Sequence, residues 1–124
     1  MMKRRPIVSV IDDDVSVRES LPGLLNVLGF AVSVFSSAEE FLASGHMAQT
    51  ECLLLDMMMP GMSGRDLQRD LKRRRQEIPI IFMTAQMDEN LRSQVVKEGA
   101  VTCLFKPFND EALLEALNTA LRPE

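Results

Sequence analysis

Cysteine is scarce in this 124-residue chain, with only Cys52 and Cys103. Both fall in apolar, strand-like runs, which predicts two buried free thiols in a reducing compartment and excludes a disulfide-stapled scaffold. Histidine is scarcer. His46 stands alone just past a predicted helix end, with no Ser or Cys motif beside it, and is expected on the surface and not as a catalytic base. No apolar run approaches the roughly 20 residues that span a bilayer. Met1-Met2-Lys3-Arg4-Arg5 is followed by only about six apolar-rich positions before three aspartates, too few for a leader. A soluble, cytoplasmic protein with no membrane contact is expected. An excess of positive charge is also missing: 14 Lys and Arg face 18 Asp and Glu, a net charge of −4. That balance argues against a nucleic-acid binder. The one basic cluster, Lys72-Arg73-Arg74-Arg75, closes a predicted helix, where the backbone dipole favours cations by about 0.3–1 kcal/mol each. Repeats, low-complexity segments and linkers are lacking, so a single domain over 1–124 is expected, with no second domain attached.

What is present is a fivefold alternation of strand and helix. Pro6 to Ile11 reads as a first strand, followed by a helix from about Val15 that carries Leu21, Leu24, Leu25 and Leu28 and stops at Gly29. Pro22 inside it is expected to kink it. Phe30 to Phe35 is a second strand, whose Ser33 suits an edge. Ser36 with Glu39, and Ser37 with Glu40, both offer a capping box for the next helix, which reaches about Gly45. The third strand is Cys52 to Asp56 and the third helix runs from Ser63 through Leu67 and Leu71. Ile78 to Met83 forms the fourth strand, ending at Thr84. The fourth helix, about Asp88 to Glu98, has only Leu91, Val95 and Val96 as large apolar anchors and is expected to be held most loosely. Val101 to Phe105 is the fifth strand, and Asn109 caps a last helix with a stripe of Leu113, Leu117 and Leu121. Near-continuously apolar central strands separated by helices predict an α/β fold, a parallel sheet covered on both faces.

In such sheets ligands bind beyond the carboxyl ends of the strands. Asp12 and Asp13 follow the first strand, Asp56 the third, Thr84 the fourth and Lys106 the fifth. Three converging carboxylates repel one another and ask for a cation. Lys106 supplies one charge, and a hard, oxygen-seeking ion such as Mg2+ suits the remainder. The same parts serve phosphoryl transfer, with Asp56 as nucleophile, Lys106 neutralising oxygens and Thr84 donating its hydroxyl. Each has a plainer reading: Asp13 or Asp14 as a helix cap, Thr84 as a strand end, Lys106 as a solvated charge.

The set Ile11-Asp12-Asp13-Asp14, Asp56 through Gly64, Met83-Thr84-Ala85 and Phe105-Lys106-Pro107-Phe108 resembles the receiver domain of bacterial two-component response regulators over essentially the whole chain. The Lys106-Pro107-Phe108 ending and Ser37-Ala38-Glu39 with Phe41-Leu42 look most like FixJ-type transcriptional regulators. The resemblance implies a flavodoxin-like (CheY-like) three-layer sandwich with strand order 2-1-3-4-5 and five helices. It implies a histidine kinase or phosphotransfer protein as donor and Asp56 as acceptor. Asp13, Asp56 and the carbonyl of Met58 would be metal ligands, Asp12 would act through a water, and the Lys106-Pro107 bond would be cis. It further implies a switch in which Thr84 moves, the fourth helix repacks and a strand-five aromatic follows, with dimerisation through the fourth helix, fifth strand and fifth helix, and transcription as the output. The matching aromatic position holds Cys103, a departure that makes Cys103 a passive core residue in this reading. Two alternatives stay open: a Mg2+-dependent phosphatase passing through an aspartyl phosphate, and an interaction module with a vestigial site. A phosphatase usually carries an acid two residues past its nucleophile, where this chain has Met58.

Overall fold

Leu53 and Leu55 point to one side of their strand and Cys52 and Leu54 to the other, and all four are fully buried. A strand apolar on both sides has to be covered on both faces. The computed structural model describes residues 4–122; Met1-Met2-Lys3 of the N-terminal run, and Pro123-Glu124, lie outside the described residues. Its strands are β1 (Ile7–Ile11), β2 (Ala31–Phe35), β3 (Cys52–Asp56), β4 (Ile80–Thr84) and β5 (Thr102–Phe105). Its helices are α1 (Val15–Val27), α2 (Ala38–Ser44), α3 (Gly64–Arg73), α4 (Glu89–Lys97) and α5 (Asp110–Ala120). All neighbouring strands pair in parallel, in the order β2-β1-β3-β4-β5.

The two faces of the sheet carry separate cores. Phe41 of α2, Leu67 and Leu71 of α3 and Val95 of α4 pack on Ile11, Leu53, Leu55, Phe82 and Cys103. Leu21 and Leu25 of α1 and Leu113 and Leu117 of α5 pack on Val8, Val10, Cys52, Leu54, Ile81 and Met83. Each such side chain contributes roughly 1.5–3 kcal/mol when fully buried. The two cysteines therefore lie on opposite faces of one sheet. Both are buried and free, and burial pushes the Cys52 thiol up to about 12 and the Cys103 thiol up to about 11.

Local chemistry settles the helix ends. Asp14 caps α1 by accepting from the Ser16 N–H at 2.8 Å. The helix then runs across Pro22 without interruption. Of the two possible capping serines, Ser37 accepts from the Glu40 N–H at 3.0 Å, while the Glu40 carboxylate accepts from the Ser36 N–H at 2.6 Å. Ser63 and Asp66 form a full capping box at α3.

Four expectations need correcting. The third helix stops at Arg73, because Arg75 takes a left-handed φ of 58° and the Gln76 N–H turns back to the Leu71 carbonyl. The basic cluster there is partly neutralised internally, since Asp70 binds Arg73 at 2.6 Å and Arg74 at 2.8 Å. The fourth strand begins at Ile80 and not Ile78; Pro79 has no N–H, though its carbonyl accepts from Leu53 at 2.9 Å. His46 is half-buried and not a surface residue, its ring edge-on to Phe35 with centroids 5.5 Å apart. Val96 is no anchor of α4, being 43% exposed, while Val95 is fully buried.

Candidate functional site

β1, β3 and β4 end side by side, because Ile11 is in register with Leu55 and Asp56 with Met83. The chain leaves each strand at the same rim. Asp12, Asp13 and Asp56 meet there, each offering a carboxylate oxygen within 4.8 Å of the others. Asp12 is fully buried, Asp56 is 6% exposed and Asp13 is exposed. Asp14, the alternative cap, serves α1 and leaves Asp13 free for this cluster.

Asp12 is held from three sides. One of its oxygens accepts from the Asp14 N–H at 3.0 Å, the other from the Lys106 ammonium at 2.8 Å, and its backbone carbonyl accepts from the Arg18 guanidinium at 2.9 Å. Lys106 lies further from Asp56, at 3.5 Å. Its ammonium is thus bonded to Asp12 first and to the expected acceptor only by charge. Burial alone would lower the Lys106 pKa, but its hydrogen bond to Asp12 and the charges of Asp12 and Asp56 outweigh that and leave it raised. The Asp56 carboxyl moves up from 3.8 to about 7, chiefly because burial penalises the charged form and because Asp12 is negative; Lys106 offsets part of this.

Thr84 ends β4 in register with Phe105, and its buried hydroxyl accepts from the Gln86 N–H at 3.2 Å. The Thr84 carbonyl accepts from the Lys106 N–H at 2.7 Å, which joins the two rim residues through the backbone. The Lys106-Pro107 bond is cis, as the resemblance implied. Met58 leaves the rim with its side chain 64% exposed. Its thioether has no proton to give to a leaving group.

Three supports went unread in the sequence. Arg18 holds the Asp12 carbonyl, and its place one turn into the helix capped by Asp14 was a usable signal. Glu39 crosses from α2 to accept from the Met62 N–H at 3.0 Å, steadying the loop after Asp56. Gly64 is demanded by close approach, because a Cβ there would collide with the Asp56 carbonyl and lie 3.0 Å from the Phe82 ring. Neither of the last two leaves a signature beyond its own residue type.

Hard oxygen donors on a rim, two of them buried without enough positive charge, fit a divalent cation of the Mg2+ kind. Residues 8–118 match the family model described as the response regulator receiver domain. The chain belongs to that family. The receiver is 41% identical over 122 residues to response regulator protein TodT of Pseudomonas putida, covering 98% of this chain and 54% of that one. It is 41% identical over 114 residues to transcriptional regulatory protein FixJ of Azorhizobium caulinodans, covering 92% and 54%. Among solved structures, FixJ-N superimposes with a TM-score of 0.86 at 35% identity, covering 98% of each chain. This receiver spans about half the length of the curated relatives it matches.

Proposed function

We propose that this receiver is a phosphorylatable switch whose acceptor is Asp56. An Asp56 oxygen attacks the phosphorus of a phosphohistidine on a histidine kinase or phosphotransfer protein; an O–P bond forms, the P–N bond breaks, and its electron pair returns to the imidazole. The observation that carries this reading is the buried Asp56 carboxylate, grouped with Asp12 and Asp13 and facing the Lys106 ammonium at 3.5 Å. Asp13, Asp56 and the Met58 carbonyl would hold Mg2+, with Asp12 acting through a water. The bound ion supplies charge neutralisation at the phosphoryl oxygens.

The protein's own groups do the rest. Lys106, raised in pKa chiefly through Asp12 and Asp56, keeps its hydrogen bond to Asp12 and turns a free N–H toward the phosphoryl group. Thr84 exchanges its acceptor role toward Gln86 for a donor role toward a phosphoryl oxygen. Because Met58 offers no acid, the site keeps and slowly loses one phosphoryl group and does not turn over substrates. The added charge of about −1.5 to −2 then shifts the face formed by α4, β5 and α5. That face would control homodimerisation and, through an effector domain or partner, transcription.

The test is intact-protein mass after incubation with acetyl phosphate, with and without Mg2+, beside Asp56→Asn. One Mg2+-dependent phosphate, absent in the variant, is the expected result. No gain at saturating Mg2+ would leave a site without acceptor chemistry, and many turnovers of the donor would indicate a phosphatase.

A further inference from the structure

We propose that Arg92 is the positioning residue that sets α4 against β5, and that phosphorylation acts on the output face by breaking its grip. The release step rests on the phosphoacceptor reading above.

α4 has little hydrophobic hold on the sheet. Val95 is its one buried residue, Leu91 is half-buried and Val96 is exposed. Polar contacts to backbone carbonyls hold it instead, and they fall into two groups. At its C-terminal end, Gln68 of α3 donates to the Val95 and Glu98 carbonyls at 3.3 Å each, Lys72 donates to the Glu98 carbonyl at 3.4 Å, and Arg65 pairs with the Glu98 carboxylate at 2.8 Å. Of these acceptors the Glu98 carbonyl is one that a helix end leaves open, while the Val95 carbonyl also accepts from the Ala100 N–H at 2.9 Å. On the other side, among the described residues, stands Arg92 alone. Its Nε and one terminal nitrogen both donate to the Cys103 carbonyl, at 3.2 and 2.8 Å, and its guanidinium carbon lies 4.6 Å from the centre of the Phe105 ring. Only a planar fork can grip one oxygen with two N–H groups while lying over a ring.

This grip is wired to the rim. Cys103 and Phe105 are two apart on β5, so they share the face that α4 covers. Phe105 is in register with Thr84 and directly precedes Lys106, whose N–H bonds the Thr84 carbonyl. Thr84 and Lys106 are the two residues that re-pair when Asp56 gains a phosphoryl group. A shift of either moves the Phe105 ring and the neighbouring carbonyl out of the geometry the guanidinium needs. Water replaces the lost bonds without opening the core, because Arg92 is half-exposed and no large apolar side chain leaves the interior with it. The α3 contacts persist, so α4 turns about its Glu98 end. The small thiol at position 103 leaves the aromatic role to Phe105, with Arg92 as its latch.

The test is amide hydrogen exchange on the whole chain, unphosphorylated and after acetyl phosphate with Mg2+, with phosphate gain followed by mass. In the wild type, phosphorylation is expected to speed exchange of the α4 amides at least tenfold. Arg92→Ala is expected to show the fast rate before phosphorylation and less than a twofold further change after it, with β1 and β3 amides and the phosphate gain unaltered. Arg92→Lys, which keeps a cation but not the fork, falls between. Phe105→Leu, which spares the two hydrogen bonds, gives a smaller rise and serves as an independent variant. Unchanged α4 exchange in Arg92→Ala, or a uniform rise across the whole sheet, would overturn the assignment. If the wild type gains no phosphate, the phosphoacceptor reading and the release step fall together. The unphosphorylated comparison then still decides whether Arg92 sets α4.

Discussion

Asp56→Asn should make the metal-free protein more stable at neutral pH, an unusual outcome for altering the proposed phosphoacceptor. An acid whose pKa rises from 3.8 to about 7 on folding binds its proton more tightly in the native state than in the unfolded chain. Between those values the native state holds a proton that the unfolded state has lost, so stability falls as pH rises through the interval. At about 1.4 kcal/mol for each decade of acidity, ionised Asp56 costs the native state about 4 kcal/mol when the whole interval is counted. Asparagine is nearly the same size, carries no charge and places an N–H donor beside Asp12 and Asp13. The variant should therefore exceed the wild type by about 2–4 kcal/mol above pH 7. The two should converge as the pH falls toward and below 3.8, where the unfolded chain also takes up the proton that native Asp56 already holds. Urea unfolding followed by circular dichroism, in chelator, from pH 4.5 to 8.5, measures this directly. Taking the difference between the two proteins cancels the titrating groups remote from the rim and leaves Asp56 together with its coupled neighbours Asp12 and Lys106. Mg2+ at a hundredfold its dissociation constant should raise the wild type by about 2.7 kcal/mol and the variant by much less. A pH-independent difference, or a wild type that gains on the variant as pH rises, would refute the argument that burial and the Asp12 charge dominate at Asp56.

Gly64→Ala should cost about 1–3 kcal/mol, the usual range for overpacking, because the new Cβ meets the Asp56 backbone carbonyl, which cannot swing aside as a side chain could. The same change should slow phosphate gain from acetyl phosphate, and a variant matching the wild type in both melting and phosphorylation would show that the loop after β3 gives way freely. Gln68→Leu strips two donors from the Val95 and Glu98 carbonyls and should cost about 1–3 kcal/mol in urea unfolding, with exchange rising first at the C-terminal end of α4. Equal protection at both ends of that helix would contradict the pivot.

Local sequence determined a large part of this protein. The apolar runs of β1, β3 and β4, the start of α3 at Ser63, the cap Asn109, the paired cap candidates Asp13 or Asp14 and Ser36 or Ser37, and the polar residue that closes β3 and β4 were legible, because period, cap and turn chemistry act within a few residues. The parallel topology followed from the alternation of strand and helix, and with it the gathering of Asp12, Asp13, Asp56, Thr84 and Lys106 at one rim. Tertiary structure decided what distance and burial control. It gave the Lys106 ammonium to Asp12 at 2.8 Å and left Asp56 at 3.5 Å, assigned Asp14 rather than Asp13 to the helix cap, and folded His46 against Phe35. It also replaced the expected apolar anchoring of α4 with bonds from Gln68, Lys72 and Arg92 to backbone carbonyls. Residue type names the groups that are able to interact. Which of several eligible partners each one takes depends on ångström differences between segments ten to a hundred residues apart, and only the packed sheet and its helices set those distances.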